Sequence, residues 1–365
     1  MQRNYYRSWA LAVLITAGVQ QAQAQIQPTE AITTAAPSLR IPADARAGGM
    51  GNIGLATSPD ANSGFWNLAK APFAEKRTAI GVNYAPWMRE VADDMYLLGL
   101  SGYHRFDSLQ AITGSIRYFN LGDFKLKDIN GSVLQTTRPY ELSIDLGYAR
   151  KLSEKFAVGI ALRYINSSLA SGTYGGTQYK PGEAVAGDVS LFYTGKNEEG
   201  QGFSAGLTLS NIGSRIGYTE DAAEKEFLPA NLGVGGAYTA VLNEDNRITF
   251  GLDVNKLLVP EMPATEEGRK DYYEQSSLSG LGKGFGNKAW QYGAGVEFSY
   301  RNIFQLRAGY FGESEKQGNR KGLTAGLGFH YDIFSVNLSY LAPSGTKAQA
   351  NPLGNSLQFG LRLGF

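Results

Sequence analysis

Several residue types and patterns are missing from this chain, and their absence narrows what it can be. It has no cysteine and only two histidines among 365 residues. The lack of cysteine excludes a disulfide scaffold, a thiolate metal site and a cysteine nucleophile. The net charge of +1 gives no reason to expect nucleic acid or another anionic surface as a partner. Beyond the N-terminus, no apolar run approaches the roughly 18 residues of a membrane-spanning helix.

The N-terminus has the three parts of an export signal. Arg3 and Arg7 form a basic region, residues 9–19 are apolar, and Ala22-Gln23-Ala24 fits a cleavage site. The apolar run is too short to cross the ~30 Å hydrocarbon core as a helix. Residues 1–24 are therefore predicted to be a signal peptide, and the mature chain is predicted to begin at Gln25.

The last ten residues, 356–365, alternate strictly between apolar and polar or glycine positions. This period of two predicts a strand with one apolar face. A free amphipathic strand would expose an edge, which a closed barrel removes by pairing the last strand with the first. A final strand that ends in phenylalanine is also typical of the assembly signal of bacterial outer-membrane barrels. The predicted signal residues are Phe359, Leu361, Leu363 and Phe365.

The rest of the chain from residue 76 onward repeats this alternation. Fourteen segments show this alternation of apolar and polar residues. Along the chain, the connections between them are alternately longer and short, as in bacterial outer-membrane barrels. The sequence therefore predicts an all-β, fourteen-stranded antiparallel transmembrane β-barrel over residues 76–365, with both termini in the periplasm. The predicted strands are 80–84, 93–104, 107–120, 140–148, 156–164, 185–193, 203–209, 232–238, 248–254, 290–300, 304–310, 323–331, 334–340 and 356–365.

Residues 25–75 lack this alternation and are rich in proline, glycine and other small residues. Residues 49–54 fit G-x-G-x-x-G by letter, but no strand, helix or βαβ unit around them supports a dinucleotide site. Small residues let a backbone pack closely, so we predict an N-terminal hatch segment inside or under the barrel lumen. Its motif residues are Asp44, Arg46, Gly48, Gly49, Met50, Gly51, Gly54 and Asn67.

Residues 44–54, 58–62 and 66–70 resemble a known family, the PorV (LptO) outer-membrane proteins of the Bacteroidetes type IX secretion system. They resemble more distantly the FadL fatty-acid channels, fourteen-stranded barrels with an N-terminal hatch. One departure is Asn67-Leu68-Ala69, where the family usually has Asn-Pro-Ala. Since proline restricts φ, this change predicts a looser turn.

The resemblance implies a role in protein transport without catalysis. Such a barrel accepts cargo proteins, through their C-terminal signal domains, as they leave the translocon barrel. It then delivers them to a sortase-like attachment complex at the cell surface. The partners implied are these proteins and outer-membrane lipid; no nucleic acid, cofactor or metal is expected. The alternative is a FadL-like channel for hydrophobic small molecules, which would need an apolar lumen pocket and a lateral opening at a bulged strand.

Residues predicted to face the lumen do not favour a selective pore or an enzyme. Their charges are of mixed sign, which predicts ion pairs that cross-link a plugged lumen. These residues are Glu141, Asp145, Arg163, Asp188, Asp253, Glu297, Arg307 and Arg362. A lipid deacylase would need a histidine near the outer rim, whereas His104 and His330 fall near short turns. No catalytic residue is therefore predicted.

The connection 258–286 is the most distinctive of the longer ones. Pro263 is predicted to open a short helix, with Glu266 and Glu267 favoured in its first turn by the helix dipole. Tyr272 and Tyr273 follow, and tyrosines beside polar residues suit a protein-binding surface. The acidic residues match no calcium-binding spacing. This loop, with 169–183 and 213–228, is therefore the predicted partner-binding surface.

Overall fold

A computed structural model of the chain describes residues 31–87, 94–127, 133–174, 176–220, 224–344 and 356–365. The predicted signal peptide and the first residues of the predicted hatch lie outside this part of the chain. Within the described ranges, none of the helices has the length and apolar character needed to cross a bilayer.

Strands dominate the described residues. They are β1 (Thr78–Pro86), β2 (Tyr96–Arg105), β3 (Gln110–Asn120), β4 (Phe124–Lys127), β5 (Val133–Thr137), β6 (Tyr140–Lys151), β7 (Phe156–Ser168), β8 (Gly172–Tyr174), β9 (Thr177–Tyr179), β10 (Gly182–Thr194), β11 (Gly202–Gly213), β12 (Asn231–Val241), β13 (Asn246–Leu257), β14 (Trp290–Tyr300), β15 (Phe304–Glu313), β16 (Lys321–Tyr331), β17 (Phe334–Pro343) and β18 (Ser356–Gly364).

Fourteen of these strands form a closed antiparallel barrel, which confirms the predicted fold. The remaining pairs, β4–β5 and β8–β9, are two-stranded ribbons in the connections. The barrel closes where β18 pairs with β1, for example at Val82 and Leu361. This pairing removes the free edge that residues 356–365 would otherwise expose.

The outer face of the barrel is apolar. Leu146 and Leu162 are 68% and 69% exposed, and similar side chains point outward from the other barrel strands. So large an exposed apolar band would be unfavourable in water and fits contact with lipid. Along one rim, four tyrosine rings contact one another in succession, as expected of an interfacial aromatic girdle. They are Tyr84, Tyr96, Tyr118 and Tyr140.

Connections of two kinds alternate around the barrel, as predicted. The short-turn end holds 106–109, 152–155, 195–201, 242–245, 301–303 and 332–333. The long-loop end holds the described residues of the longer connections, which are 87, 94–95, 121–123, 138–139, 169–174, 176–181, 214–220, 224–230, 258–289, 314–320 and 344, together with the ribbon β4–β5. The loop 258–289 contains α3 (Glu266–Glu274) and α4 (Ser277–Gly284), and a 3-10 helix occupies Glu315–Gln317.

Residues 31–75 form a compact N-terminal segment with little regular structure. It contains α1 (Ala45–Gly48), α2 (Ser63–Trp66) and 3-10 helices at Pro37–Arg40 and Leu68–Phe73. Its side chains contact inward-facing residues of many barrel strands. Toward the long-loop end these contacts include an apolar cluster, where Ile41 and Ala43 pack with Trp87, Leu97 and Phe119.

The two ends of the described chain lie at opposite ends of the barrel. The Ile32 amide donates to the Lys316 carbonyl in a long loop, at 2.9 Å. Phe365 instead exchanges backbone hydrogen bonds with Thr78 at the short-turn end. The predicted N-terminus of the mature chain lies outside the described residues, so the placement of both termini on one side stays a prediction.

Candidate functional site

Arg46 is the centre of a charged cluster between the N-terminal segment and the barrel wall. Its guanidinium donates to both carboxylate oxygens of Glu297 on β14, at 3.1 and 3.0 Å. It also donates to Asp60 Oδ2 at 2.9 Å and to the Ser58 hydroxyl at 2.8 Å. Arg307 on β15 donates to Glu297 Oε2 at 2.7 Å. The cluster therefore joins the segment to two neighbouring strands.

Asp60 extends the cluster to the last strand, because Arg362 on β18 also binds its carboxylate. Burial opposes ionisation of Asp60, but the guanidiniums of Arg362 and Arg46 outweigh it and lower its pKa to about 2. A carboxyl whose pKa falls on folding stabilises the fold above its unfolded pKa of about 3.9. That contribution is lost only as the pH falls toward 2, so the cluster stays charged at neutral pH.

Asp44 organises the neighbouring polar core of the N-terminal segment. As the N-cap of α1 it accepts from the Arg46 amide at 2.9 Å. It also accepts from Asn62 Nδ2 at 2.8 Å and Trp66 Nε1 at 3.0 Å. Asn62 in turn accepts from Asn83 of β1 and Ser101 of β2. These bonds satisfy buried groups and hold the segment against β1 and β2.

The predicted glycines lie where the backbone of the segment touches the barrel wall. A Cβ on Gly51 would lie 2.4 Å from the Tyr310 carbonyl and 2.5 Å from the Ala294 carbonyl. Gly51 also has φ +72°, a conformation that favours glycine. Gly48 and Gly49 pack against β18 and β16, and Gly54 lies under the Trp66 ring. The side chain of Met50 is buried beside them.

Asn67 fastens the end of the segment, so the looser turn predicted from the Asn67-Leu68-Ala69 departure is not found. Its Oδ1 accepts from the Ala69 amide at 3.1 Å. Its Nδ2 donates to the carbonyls of Leu55 and Leu191, at 3.1 and 2.9 Å. The Leu68 side chain is buried. Side-chain bonds therefore hold the turn where the family usually has proline.

The other predicted lumen charges are hydrogen-bonded, but only some of them form the predicted ion pairs. Arg163 on β7 binds Asp145 and Asp188. Asp253 accepts from the Gly54 and Leu55 amides at 2.7 and 2.9 Å. Glu141 accepts from the Ser38 amide at 3.0 Å. Most of these partners belong to the segment, so sequence alone could not name them.

The strand pair β10–β11 contains a bulge, the feature at which the channel alternative would place a lateral opening. The register shifts between Gly187 and Val189, and Asn211 there has φ +59°. The bulge is filled, however, because Asn211 donates its amide to Asp188 at 2.8 Å. Arg163 binds both side chains from the lumen side. Backbone pairing then resumes at Gly187 and Ile212.

No catalytic or metal arrangement is found among the described residues. Groups of three or more residues suited to holding a metal are absent from them. Gly202-Phe203-Ser204-Ala205-Gly206 matches the hydrolase motif G-x-S-x-G by its letters. That motif requires a strand-to-helix turn, whereas Ser204 lies within β11 and donates to the Ala56 carbonyl at 2.7 Å. His104 and His330 bond to Thr78 and Ser335 near short turns.

The predicted partner-binding residues divide into exposed and buried groups. Glu266 and Glu267 are exposed in the first turn of α3. The helix begins at Glu266 and is capped by Thr265, so Pro263 precedes it and does not open it. Tyr273 is half-buried. Tyr272 is only 1% exposed and packs edge-to-face on Phe227, which removes it from the accessible surface.

Tyr272 instead anchors the loop 258–289, which gives a testable prediction. Replacing it with alanine would leave a cavity against Phe227 and Arg215, and such truncations cost about 3–5 kcal/mol when fully buried. We expect Tyr272→Ala to make this loop sensitive to added trypsin while the barrel stays folded. Leu278→Ala on exposed α4 is the matched control, and equal resistance of both variants would contradict the anchoring role.

Known structures share this architecture. The fold is similar to the CymD monoaromatic hydrocarbon channel, with 14% identity over 88% of this chain and 97% of that chain, and a TM-score of 0.57. It is also similar to the P. putida toluene transporter TodX, with 13% identity over 88% of this chain and 98% of that chain, and a TM-score of 0.53. The Ralstonia pickettii toluene transporter TbuX is similar as well, with 12% identity over 87% of this chain and 97% of that chain, and a TM-score of 0.50. These likenesses concern the fold.

The sequence itself identifies the family. No functionally curated protein matches the chain. A family model described as "Type IX secretion system protein PorV" matches residues 23–264, which is more than half of the chain. The match includes the N-terminal segment, with Arg46 and Asp44. The chain therefore belongs to the PorV family and is an outer-membrane component of the type IX secretion system.

Proposed function

We propose that this barrel binds secreted proteins at its long-loop end, through their C-terminal signal domains, as they leave the translocon barrel. It then hands them to the sortase-like attachment complex. In this proposal the long-loop end faces the cell exterior and the short-turn end faces the periplasm. In this proposal the protein catalyses no reaction; it binds cargo between its release from the translocon barrel and its transfer to the attachment complex.

The observation that carries this proposal is the filled lumen. Residues 31–75 contact the inner wall through buried ion pairs, backbone contacts and apolar packing. On the long-loop side of the segment lies a cavity of about 100 Å³, which is lined by polar side chains such as Arg117 and Asn231 and equally by apolar ones such as Leu55. Apolar ligand pockets usually measure about 300–1,000 Å³. This geometry favours work at the surface over passage through the barrel.

The long-loop end offers a shaped surface for such work. The helices α3 and α4 are held on the rim by Tyr272 and by Arg215, which donates to the carbonyls of Tyr273 and Gln275 at 2.8 and 2.9 Å. An ordered loop loses little conformational freedom when a partner binds. Glu266, Glu267 and the half-buried Tyr273 are then available as polar and aromatic contacts.

Purification from native outer membranes in a gentle detergent tests the proposal. We expect the tagged protein to bring with it a very large barrel and secreted proteins that share a C-terminal β-domain. Mass spectrometry identifies both. Recovery of the protein alone with a bound apolar small molecule would instead favour the channel alternative, which the filled bulge and the small size of the cavity argue against.

The contribution of the loop can be measured separately. Changing Glu266 and Glu267 to lysine reverses two exposed charges, and we expect it to reduce cargo recovery about tenfold, the equivalent of about 1.4 kcal/mol. Glu198 and Glu199, in the short turn 195–201, are exposed neighbours at the opposite end and provide a matched double lysine control. Equal loss in both variants would rule out a specific role for α3.

A further inference from the structure

A second, larger cavity lies on the other side of the N-terminal segment. It measures about 550 Å³ and is reached from the short-turn end. Arg46 and residues 58–61 of the segment form its roof, and the short-turn ends of β12 to β18 form much of its wall. We call this cavity the vestibule. The plugged lumen separates it from the long-loop end, so the proposed cargo surface makes no use of it.

Positive charge predominates in the vestibule. Its lining includes six basic side chains but only three carboxylates. The basic residues are Arg46, Lys76, Lys196, Arg247, Arg307 and Arg362, and the acidic ones are Asp60, Glu75 and Glu297. Arg46, Arg307 and Arg362 already share Asp60 and Glu297. The lining therefore has more basic groups than its own carboxylates neutralise.

Lys196 and Arg247 hold the uncompensated charge. Lys196 lies in the turn 195–201 and Arg247 at the start of β13, and both are half-buried. Neither has an ion pair or side-chain hydrogen bond with any described residue. Burial, followed by the charge of Arg46, lowers the pKa of Lys196 to about 8. In addition, Nε of Arg362 is buried without a hydrogen-bond partner in the described part of the chain.

The remaining lining is suited to oxygen-rich ligands. Thr239 and Thr249 lie side by side with their hydroxyls 3.0 Å apart, near Ser299 and Gln305. Hydroxyl, amide, ammonium and guanidinium groups are the donors that bind phosphate and carboxylate oxygens. The cavity also has apolar lining, so these donors cover only part of its wall; the large apolar side chains are Phe73, Tyr103, Phe192, Ile333 and Leu363.

We propose that the vestibule binds a small, water-soluble anion that has two or more phosphate or carboxylate groups, held chiefly by Lys196 and Arg247. The ligand enters from the short-turn end. Its charge compensates the basic lining directly beneath the Arg46 cluster. Occupancy of the vestibule would therefore stabilise the seated N-terminal segment.

Calorimetric titration of the detergent-solubilised full chain with inorganic pyrophosphate tests this site. We expect saturable binding of one pyrophosphate per chain. Lys196→Ala and Arg247→Ala should each weaken it about tenfold, since each removes one charge-assisted contact. Lys155→Ala removes an exposed lysine from another short turn at the same end and should leave the affinity unchanged. Citrate should compete, because the donors recognise charge and oxygen.

Three results would overturn the assignment. One is the absence of saturable binding to the folded chain, and another is unchanged affinity in the Lys196→Ala/Arg247→Ala double variant. The third is failure of citrate to compete. Folding of each variant is checked by the heat-dependent shift in its electrophoretic mobility. The Glu266→Lys/Glu267→Lys double variant should bind pyrophosphate with unchanged affinity, which separates this test from that of the cargo surface.

Discussion

Arg46→Ala is expected to destabilise the protein by about 3 kcal/mol, near the lower end of the cost of breaking a buried ion pair. Arg46 is 8% exposed, and its loss removes one partner each from Glu297 and Asp60. Both carboxylates keep a second arginine, Arg307 or Arg362, which is why the upper end of the range is not expected. Unfolding in urea, followed by tryptophan fluorescence in lipid vesicles, measures the difference.

A matched control for this variant lies on the surface. Arg301 pairs with Asp245 at 3.0 Å in neighbouring short turns, with both side chains about half exposed. Such pairs contribute about 0–1 kcal/mol, so Arg301→Ala should be nearly neutral. Arg46→Lys should fall between the two, because lysine keeps the charge but loses the two-pronged contact with Glu297. Equal stability of Arg46→Ala and Arg301→Ala would show that the cluster does not hold the segment.

The strands were predictable because they alternate against two different solvents. Lipid outside and a polar lumen inside impose a period of two that needs no knowledge of distant residues. The predicted strand 93–104 shows the limit of this rule, because its apolar residues do not alternate regularly in the sequence. Leu97 faces inward and is 1% exposed because Ile41 and Ala43 of the N-terminal segment pack there. The apolar part of the segment therefore places an apolar residue at an inward position of β2 that the alternation would make polar.

The sequence allowed the residues of the candidate site to be named, but it did not show which of them contact one another. The small residues around Gly49 indicated close packing, yet nothing local shows that Arg46 meets Glu297, 251 residues away. Tyr272 illustrates the reverse problem. A tyrosine in a long polar loop suggests a surface contact, but Phe227 from another loop covers it. Pairings that depend on the folded barrel leave no periodic signal in the sequence.

Gly295→Ala is expected to displace the N-terminal segment and open the lumen to ions. A Cβ at Gly295 would lie 2.3 Å from the Met50 carbonyl oxygen, and one at Gly309 would lie 2.3 Å from the Gly51 amide. These are contacts with backbone, which no rotamer change relieves. Overpacking of this kind costs about 1–3 kcal/mol, and here the strain falls on the contact between segment and wall.

Conductance in planar lipid bilayers measures the outcome. The native protein should remain closed, because the segment fills the lumen, whereas Gly295→Ala should show discrete ion-conducting openings. Gly114→Ala makes the same change on β3 at an exposed position, where the nearest atom, the Asp145 carbonyl oxygen, would be 3.9 Å from the new methyl group. It should stay as closed as the native protein. A Gly295→Ala barrel that folds and never conducts would mean that the wall yields to the methyl group, and that the seating of the segment depends on its ion pairs and apolar contacts instead.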